Sequence, residues 1–273
     1  MAEFRIFVGA QRVQAVPPDD RGLAYGDALF ETMRAHRGDL PWWDRHWARL
    51  HDSAMRLQMP LPDASQVLRE ALGLIAGRDA VLKLQLTRGS GGRGYAPPSN
   101  PEPLWLLSIH PLPAQAAALD AIWCETRLAR QPLLAGMKHG NRLEQVLARA
   151  EVAQAGADEG VVRDVAGRVT SGTASNLFML DGEGWHTPEL DHAGVAGICR
   201  GWVIEQTGAR VRRIRVDEVE RAGAVFLCNS VRGILPVQRL GARAWPKIQP
   251  EVRALQSMLA QAHPGFATST EAS

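Results

Sequence analysis

Lys138 stands in the run Leu133-Leu-Ala-Gly-Met-Lys-His-Gly-Asn-Arg-Leu-Glu-Gln-Val-Leu147, between Gly136 and Gly140 and just ahead of an apolar series at helical spacing. The chain has three lysines, Lys83, Lys138 and Lys247, against a large excess of arginine. A lysine held on a tight turn against a packed element, and partly desolvated, can lose its proton and attack a carbonyl carbon to form a Schiff base. Alone, the same pattern also describes an exposed loop lysine. Three further segments carry chemistry. Arg88-Gly-Ser-Gly-Gly-Arg-Gly-Tyr95 sets four glycines in eight residues beside two arginines, which suits a carboxylate or phosphate, or else a flexible hairpin tip. It is not a Walker loop, since no Gly-Lys-Ser/Thr follows. Gly194-Val-Ala-Gly-Ile-Cys-Arg200 runs glycines into a helix start, where unpaired N–H groups and the positive dipole end favour phosphate. Phe226-Leu-Cys-Asn-Ser-Val-Arg-Gly-Ile-Leu-Pro-Val237 ends an apolar strand on Asn229 and Ser230, a polar pair suited to ligand contact or to capping a turn.

These residues need elements to place them. Phe4–Val8 alternates as a strand and Gly9 turns the chain. Residues 42–57 predict an amphipathic helix with Trp43, Trp47, Leu50 and Leu57 near one face, and 63–75 a second helix closed by Gly77. Residues 80–87 and 104–109 predict strands joined by the glycine-rich loop. Beyond them the pattern gives a strand at 122–128 and a helix capped by Asn141, with Leu143, Val146, Leu147 and Ala150 along its packed stripe. Further strands are expected through 160–169, 176–180, 211–216 and 225–228, with a helix over 199–207. The tail from Gly265 reads as frayed. Strand spacing is too irregular for a regular βαβ array, so the expected class is α+β with two domains. These are residues 1–110, a linker at 111–116 around Pro111 and Pro113, and residues 117–273 carrying the lysine.

Composition excludes several classes. At 273 residues and 45% hydrophobic content the chain can bury a sizeable core. A net charge of +2 with pI near 8.6, and no block of basic residues, argues against nucleic acid. Cys124, Cys199 and Cys228 are odd in number, widely spaced and without a CxxC pair, so neither a disulfide framework nor a zinc site is expected. The eight histidines show no metal-ligand spacing. No apolar run reaches membrane-spanning length and the first residues carry no signal-peptide pattern, so a reducing cytoplasm is the expected location.

Together the segments resemble the fold-type-IV pyridoxal 5'-phosphate enzymes, the class of branched-chain and D-amino-acid aminotransferases and aminodeoxychorismate lyase. The resemblance runs through Asp20-Arg-Gly-Leu-Ala-Tyr-Gly-Asp-Ala-Leu-Phe-Glu-Thr32, His46-Trp-Ala-Arg-Leu50, the Lys138 run, Ser175-Asn-Leu-Phe178, 194–200 and 229–237. It implies the two-domain architecture of that class, a homodimer and pyridoxal phosphate as cofactor. By the same resemblance Lys138 is the Schiff-base lysine and general base, and Arg49 binds the cofactor phosphate. The N–H groups of Ile198 and Cys199 and the Ser230 hydroxyl complete the phosphate site. Arg142 faces the cofactor's phenolate oxygen. Arg93, Tyr95 and Asn229 are the expected substrate contacts. The glycine-rich loop and the Lys138 run are most similar to those of the lyases. They imply conversion of 4-amino-4-deoxychorismate to 4-aminobenzoate and pyruvate; an aminotransferase of the same fold, or a non-catalytic binder of the cofactor, is the alternative.

One position departs from that pattern. Many relatives carry glutamate four residues before the Ser of the Ser-Asn pair, and this chain has Ser171. The glutamate would keep the cofactor's ring nitrogen protonated and the ring a deep electron sink. A serine hydroxyl can only hydrogen-bond there. Ser171 therefore points toward elimination, which gains an aromatic ring, over transamination.

Overall fold

A computed structural model describes residues 3–267. It forms two compact units. The first runs to Leu112 and takes in Met137–Asn141; the second comprises Pro113–Gly136 and the chain from Arg142 on. The lysine expected in the 117–273 domain is therefore packed with the first unit. The reason is strand pairing, described below.

The first unit holds β1 (Phe4–Val8), β2 (Gln11–Val13), α1 (Arg21–Tyr25), β3 (Ala28–Ala35), α2 (Trp43–Leu57), α3 (Ala64–Ile75), β4 (Ala80–Thr87) and β5 (Leu104–His110). Its antiparallel sheet has the order β2-β1-β5-β4-β3. Leu29, Met33 and Ala35 of β3, Leu82, Leu84 and Leu86 of β4 and Trp105 and Leu107 of β5 enter one core with Leu50 and Ala54 of α2 and Val67 and Ala71 of α3. Trp43, Trp47 and Leu57 pack against it, as the helical spacing requires. Each fully buried Leu contributes about 1.5–3 kcal/mol from apolar burial. Asp63 caps α3 by accepting from Gln66 N at 2.8 Å. The C-cap is Ala76, at φ +49°, and Gly77 follows at φ +79°.

The second unit holds β6 (Leu119–Leu128), α4 (Leu143–Gln154), β7 (Glu159–Asp164), β8 (Val169–Gly172), β9 (Asn176–Asp181), β10 (Gly184–Pro188), α5 (Ile198–Thr207), β11 (Arg210–Arg212), α6 (Val216–Arg221), β12 (Ala224–Asn229), β13 (Gly233–Leu240), β14 (Arg243–Ala244) and α7 (Pro250–Ala262). Its mixed sheet runs β11-β10-β9-β12-β13-β6-β7-β8, with β14 on β13. The strand expected over 211–216 stops at Arg212. Glu218 accepts from Arg215 N and starts α6 there. Helix α7 and the 3-10 turn Pro264–Phe266 were not anticipated; Gly265 is buried, and residues 268–273 of the tail lie outside the described residues.

Helix α4 corrects two expectations. Its N-cap is Arg142, while Asn141 turns away and donates from Nδ2 to Gly26 O at 3.2 Å. Its buried positions are Ala148 and Val152, whereas Leu143, Val146 and Leu147 are 78%, 61% and 60% exposed, and Ala150 is exposed too. The apolar stripe is real, but the unit covers a different face of the helix.

Candidate active site

Strand β3 is the edge of its sheet, so one side of its backbone needs partners from elsewhere. The lysine segment supplies them. Phe30 N donates to Lys138 O at 2.9 Å, Gly140 N donates to Ala28 O at 2.7 Å, and Leu29 bridges His139. Lys138 is thus held on an extended segment rather than on a tight turn. Gly140 fits closely, since a Cβ there would lie 3.1 Å from Gly26 O, and Gly136 sits at φ +81°, a left-handed conformation that favours glycine. Lys138 is half-buried, with Nζ 4.4 Å from the centroid of the Phe30 ring. Lys83 Nζ lies 5.4 Å from the same ring, and burial pushes its pKa down.

Arg49 sits on α2 one turn after His46. Both turn toward Glu31, which occupies an inward position of β3 between Leu29 and Met33. Glu31 accepts from Arg49 Nε at 2.9 Å and Nη2 at 2.5 Å, and from His46 Nδ1 at 2.5 Å. Burial raises the Glu31 carboxyl, but the Arg49 charge and the His46 hydrogen bond outweigh it and hold the group at about 2. Burial lowers His46, so its imidazole stays neutral with Nδ1 as donor. Arg49 is thereby a guanidinium whose plane is fixed from behind by a buried carboxylate.

The glycine-rich loop differs from its expected form. Three of its four glycine N–H groups have internal acceptors: Gly89 N donates to Thr87 Oγ1, Gly91 N to Asp19 O and Gly94 N to Tyr25 Oη. It is a built loop and not an anion cradle. Arg88 is buried and donates to Asp27, Leu57 O and Gln58 O, so its charge serves the fold. Arg93 is exposed and Tyr95 is 86% exposed, both displayed on the loop.

In the second unit α5 begins at Ile198 with Gly197 as N-cap and no side-chain cap, so its first N–H groups face outward unpaired by the helix. A Cβ on Gly197 would strike Asn176 Oδ1, and Asn176 is itself fixed by donating to Val195 O at 2.9 Å. Cys199, on that first turn, is hydrogen-bonded by Cys228 at the end of β12, which with burial holds its thiol protonated. That contact brings the Ile198–Cys199 start beside the turn that carries Ser230. Asn229 Oδ1 accepts from Val231 N at 3.0 Å and Arg232 N at 2.8 Å, and its Nδ2 donates to Ala174 O at 3.3 Å. Its amide therefore caps the turn and ties it to Ala174, between β8 and β9; Ser171, within β8, is buried and donates from Oγ to Gly172 O at 2.8 Å. Arg142 stands at the start of α4.

The amino-transferase class IV family matches residues 28–240. The chain belongs to that family. Among class IV relatives, an aminodeoxychorismate lyase of Vibrio harveyi is 37% identical over 83% of this chain and 88% of its own length. The crystal structure of a 4-amino-4-deoxychorismate lyase from Pseudomonas aeruginosa is 41% identical, covers 94% of this chain and 98% of that one, and superposes with a TM-score of 0.87. A D-alanine aminotransferase of Bacillus licheniformis is 28% identical, over 82% of each chain.

Class IV enzymes carry pyridoxal phosphate, and each unit taken by itself offers donors of the kind that this cofactor needs. The first unit offers an amine on a fixed backbone and a guanidinium oriented by Glu31. The second offers an uncapped helix start that no side chain at 197 could fill, with Ser230 on the adjoining turn. An amine matches an aldehyde, and a guanidinium in one unit and neutral N–H and O–H donors in the other are each groups that bind phosphate oxygens. Sequence reasoning assigned no role to Glu31, His46 or Lys83. The signal for Glu31 was present: a carboxylate in the inward phase of an apolar alternation, Leu29-Glu31-Met33, demands buried partners.

Proposed function

We propose that this chain is a pyridoxal-phosphate-dependent lyase that converts 4-amino-4-deoxychorismate to 4-aminobenzoate and pyruvate. The observation that carries the reading is Lys138, held along the edge of β3 by Phe30 N and Gly140 N, in a chain whose lyase relatives align over most of its length. Bound pyridoxal phosphate supplies an electron sink for the pair left when a proton leaves the amine-bearing carbon. Lys138 would hold the cofactor through its amine and, once the substrate's own amine has displaced it and freed Nζ, would take the proton from that ring carbon. Loss of the enolpyruvyl C–O bond leaves an aromatic ring, and the proton passes to the departing fragment to give pyruvate. Arg49, the N–H groups of Ile198 and Cys199 and the Ser230 hydroxyl are the proposed phosphate contacts, with Arg142 at the phenolate oxygen and Ser171 at the ring nitrogen. Arg93 and Tyr95 are the proposed substrate contacts. Asn229 is proposed to act there through its backbone or its turn, since its amide is engaged.

The purified protein incubated with 4-amino-4-deoxychorismate should release 4-aminobenzoate and pyruvate in equal amounts. Transfer of an amino group to 2-oxoglutarate without 4-aminobenzoate would assign it instead to the aminotransferases, and cofactor binding with neither product to a non-catalytic protein.

We also assign it as a homodimer. The exposed row Leu143, Val146 and Leu147 on α4 is an apolar strip of the kind that marks a protein contact. Light scattering should give twice the chain mass, and Leu143→Glu with Leu147→Glu should lower it. No described helix is long and apolar enough to cross a membrane. The three buried free thiols support a cytoplasmic location.

A further inference from the structure

Arg21 is a buried arginine whose hydrogen bonds go almost entirely to one loop. It is the first residue of α1, and its side chain is 4% exposed. Nη1 donates to Gly94 O at 3.1 Å and Ala96 O at 3.3 Å, and Nη2 to Tyr95 O at 2.9 Å. Nε donates to Asp27 at 3.0 Å, the same carboxylate that Arg88 grips at the start of the loop. One turn further along α1, Tyr25 accepts from Gly94 N at 3.1 Å and meets the Tyr95 ring edge-on at 5.5 Å between centroids. Gly91 packs so closely on the Arg21 stem that a Cβ there would lie 2.7 Å from Cδ, and Gly94 sits at φ +92°. Three successive carbonyls, of residues 94, 95 and 96, therefore converge on one guanidinium, a bend that the glycine at 94 makes possible.

Such convergence needs a planar fork with several donors at fixed angles. An ammonium offers a compact point charge and cannot span the three carbonyls in the same way. The ladder between β4 and β5 does not reach the clamped residues, since it ends at Thr87 paired with Leu104. What the clamp does fix is the backbone of Tyr95 and of the residue next to Arg93. Both side chains are exposed and would otherwise be carried on a flexible connection between β4 and β5.

We propose that Arg21 is a positioning residue for substrate: by clamping the carbonyls of 94–96 it presets Arg93 and Tyr95 in their carboxylate-binding geometry. The inference rests on the reading of Arg93 and Tyr95 as substrate contacts given above. It places the order of the loop in the protein before substrate arrives, so the ordering entropy is not charged to binding.

The test is Arg21→Lys in the full-length holoenzyme, with hydrogen exchange of the 90–96 amides, KM, kcat and the cofactor's visible spectrum measured together. Exchange in the loop should quicken by about tenfold or more as it opens locally. KM for 4-amino-4-deoxychorismate should rise about ten- to a hundredfold, with kcat and the spectrum unchanged, because a misplaced binding group weakens ground and transition states alike. Tyr25→Phe, which deletes only the acceptor for Gly94 N, should give a smaller change of the same kind and serves if Arg21→Lys does not fold. Unaltered loop exchange in both variants, or faster exchange with KM unmoved, would overturn the proposal. Arg93→Ala separates the two readings: it should raise KM with the loop's exchange unaltered. An unmoved KM there would discard Arg93 as a substrate contact while the exchange data still decide the clamp.

Discussion

Glu31 and Arg49 form a bidentate pair, Oε1 to Nε at 2.9 Å and Oε2 to Nη2 at 2.5 Å, enclosed in the first unit with His46 on the same carboxylate. The guanidinium proposed for the cofactor phosphate is thus also the counter-charge of a buried acid. Removing one partner of such a pair strands the other.

Arg49→Ala should therefore do two things. Cofactor affinity should fall about ten- to a hundredfold through loss of a charge-assisted contact of about 1.5–3 kcal/mol. Stability should fall by about 3–5 kcal/mol because Glu31 is left buried. The double variant Glu31→Gln, Arg49→Met should regain most of the stability and none of the affinity. Urea melts of the apoprotein and cofactor titration report the two effects separately.

The same pair predicts acid sensitivity. The Glu31 carboxyl is depressed from 4.5 to about 2, so its contribution to stability is complete above pH 4.5 and is lost as pH falls from there toward 2. Neutral His46, lowered by burial, acts in the same direction below 6.5, where the unfolded chain takes up a proton that the native one does not. The urea midpoint should drop steeply across these ranges in the wild type and less steeply in Glu31→Gln. Parallel curves for the two proteins would exclude Glu31 as the source.

Borohydride treatment of the yellow holoenzyme should fix the cofactor on Lys138. Peptide mapping is a demanding test here because Lys83 shares the Phe30 ring and burial pushes its pKa down, toward the reactive neutral amine. An adduct on Lys83 would reassign the anchoring lysine.

Arg88 and Arg93 are five residues apart and should fail in different ways. Arg88→Ala removes donors to Asp27, Leu57 O and Gln58 O and should cost about 2–3 kcal/mol of stability, moderated because Asp27 keeps Arg21. Arg93→Ala touches an exposed side chain and should leave the melting temperature unchanged while raising KM.

Ser171 should tune the choice of reaction. Its hydroxyl hydrogen lies on Gly172 O, leaving a neutral acceptor for a ring nitrogen, which holds a proton far less firmly than a carboxylate would. Ser171→Glu should raise transamination relative to lyase turnover, measured on one cofactor-saturated sample. Some cofactor affinity should be lost to crowding, since Ser171 is buried. A flat or falling ratio would exclude this role.

Much of the chain was legible from its residues. The period of 3.6 over 42–57 and 63–75, and the strands at 4–8, 80–87 and 104–109, follow from local backbone geometry, which the apolar pattern tracks directly, and the elements form there to within a residue. The family was legible because long strings such as the Lys138 run and the glycine-rich loop keep their residue types together in sequence. The periodicity of α4 was equally legible, yet it misplaced the packed face, since a helix pattern names an apolar stripe and not what covers it. Only tertiary pairing carried Lys138 to the edge of β3, turned the glycine-rich loop from an anion cradle into a clamped display, and gave Glu31 its two partners from α2. Those decisions rest on contacts between residues far apart in the chain. Unpaired strand edges and buried charges must find partners wherever the fold brings them, and no local spacing records that search.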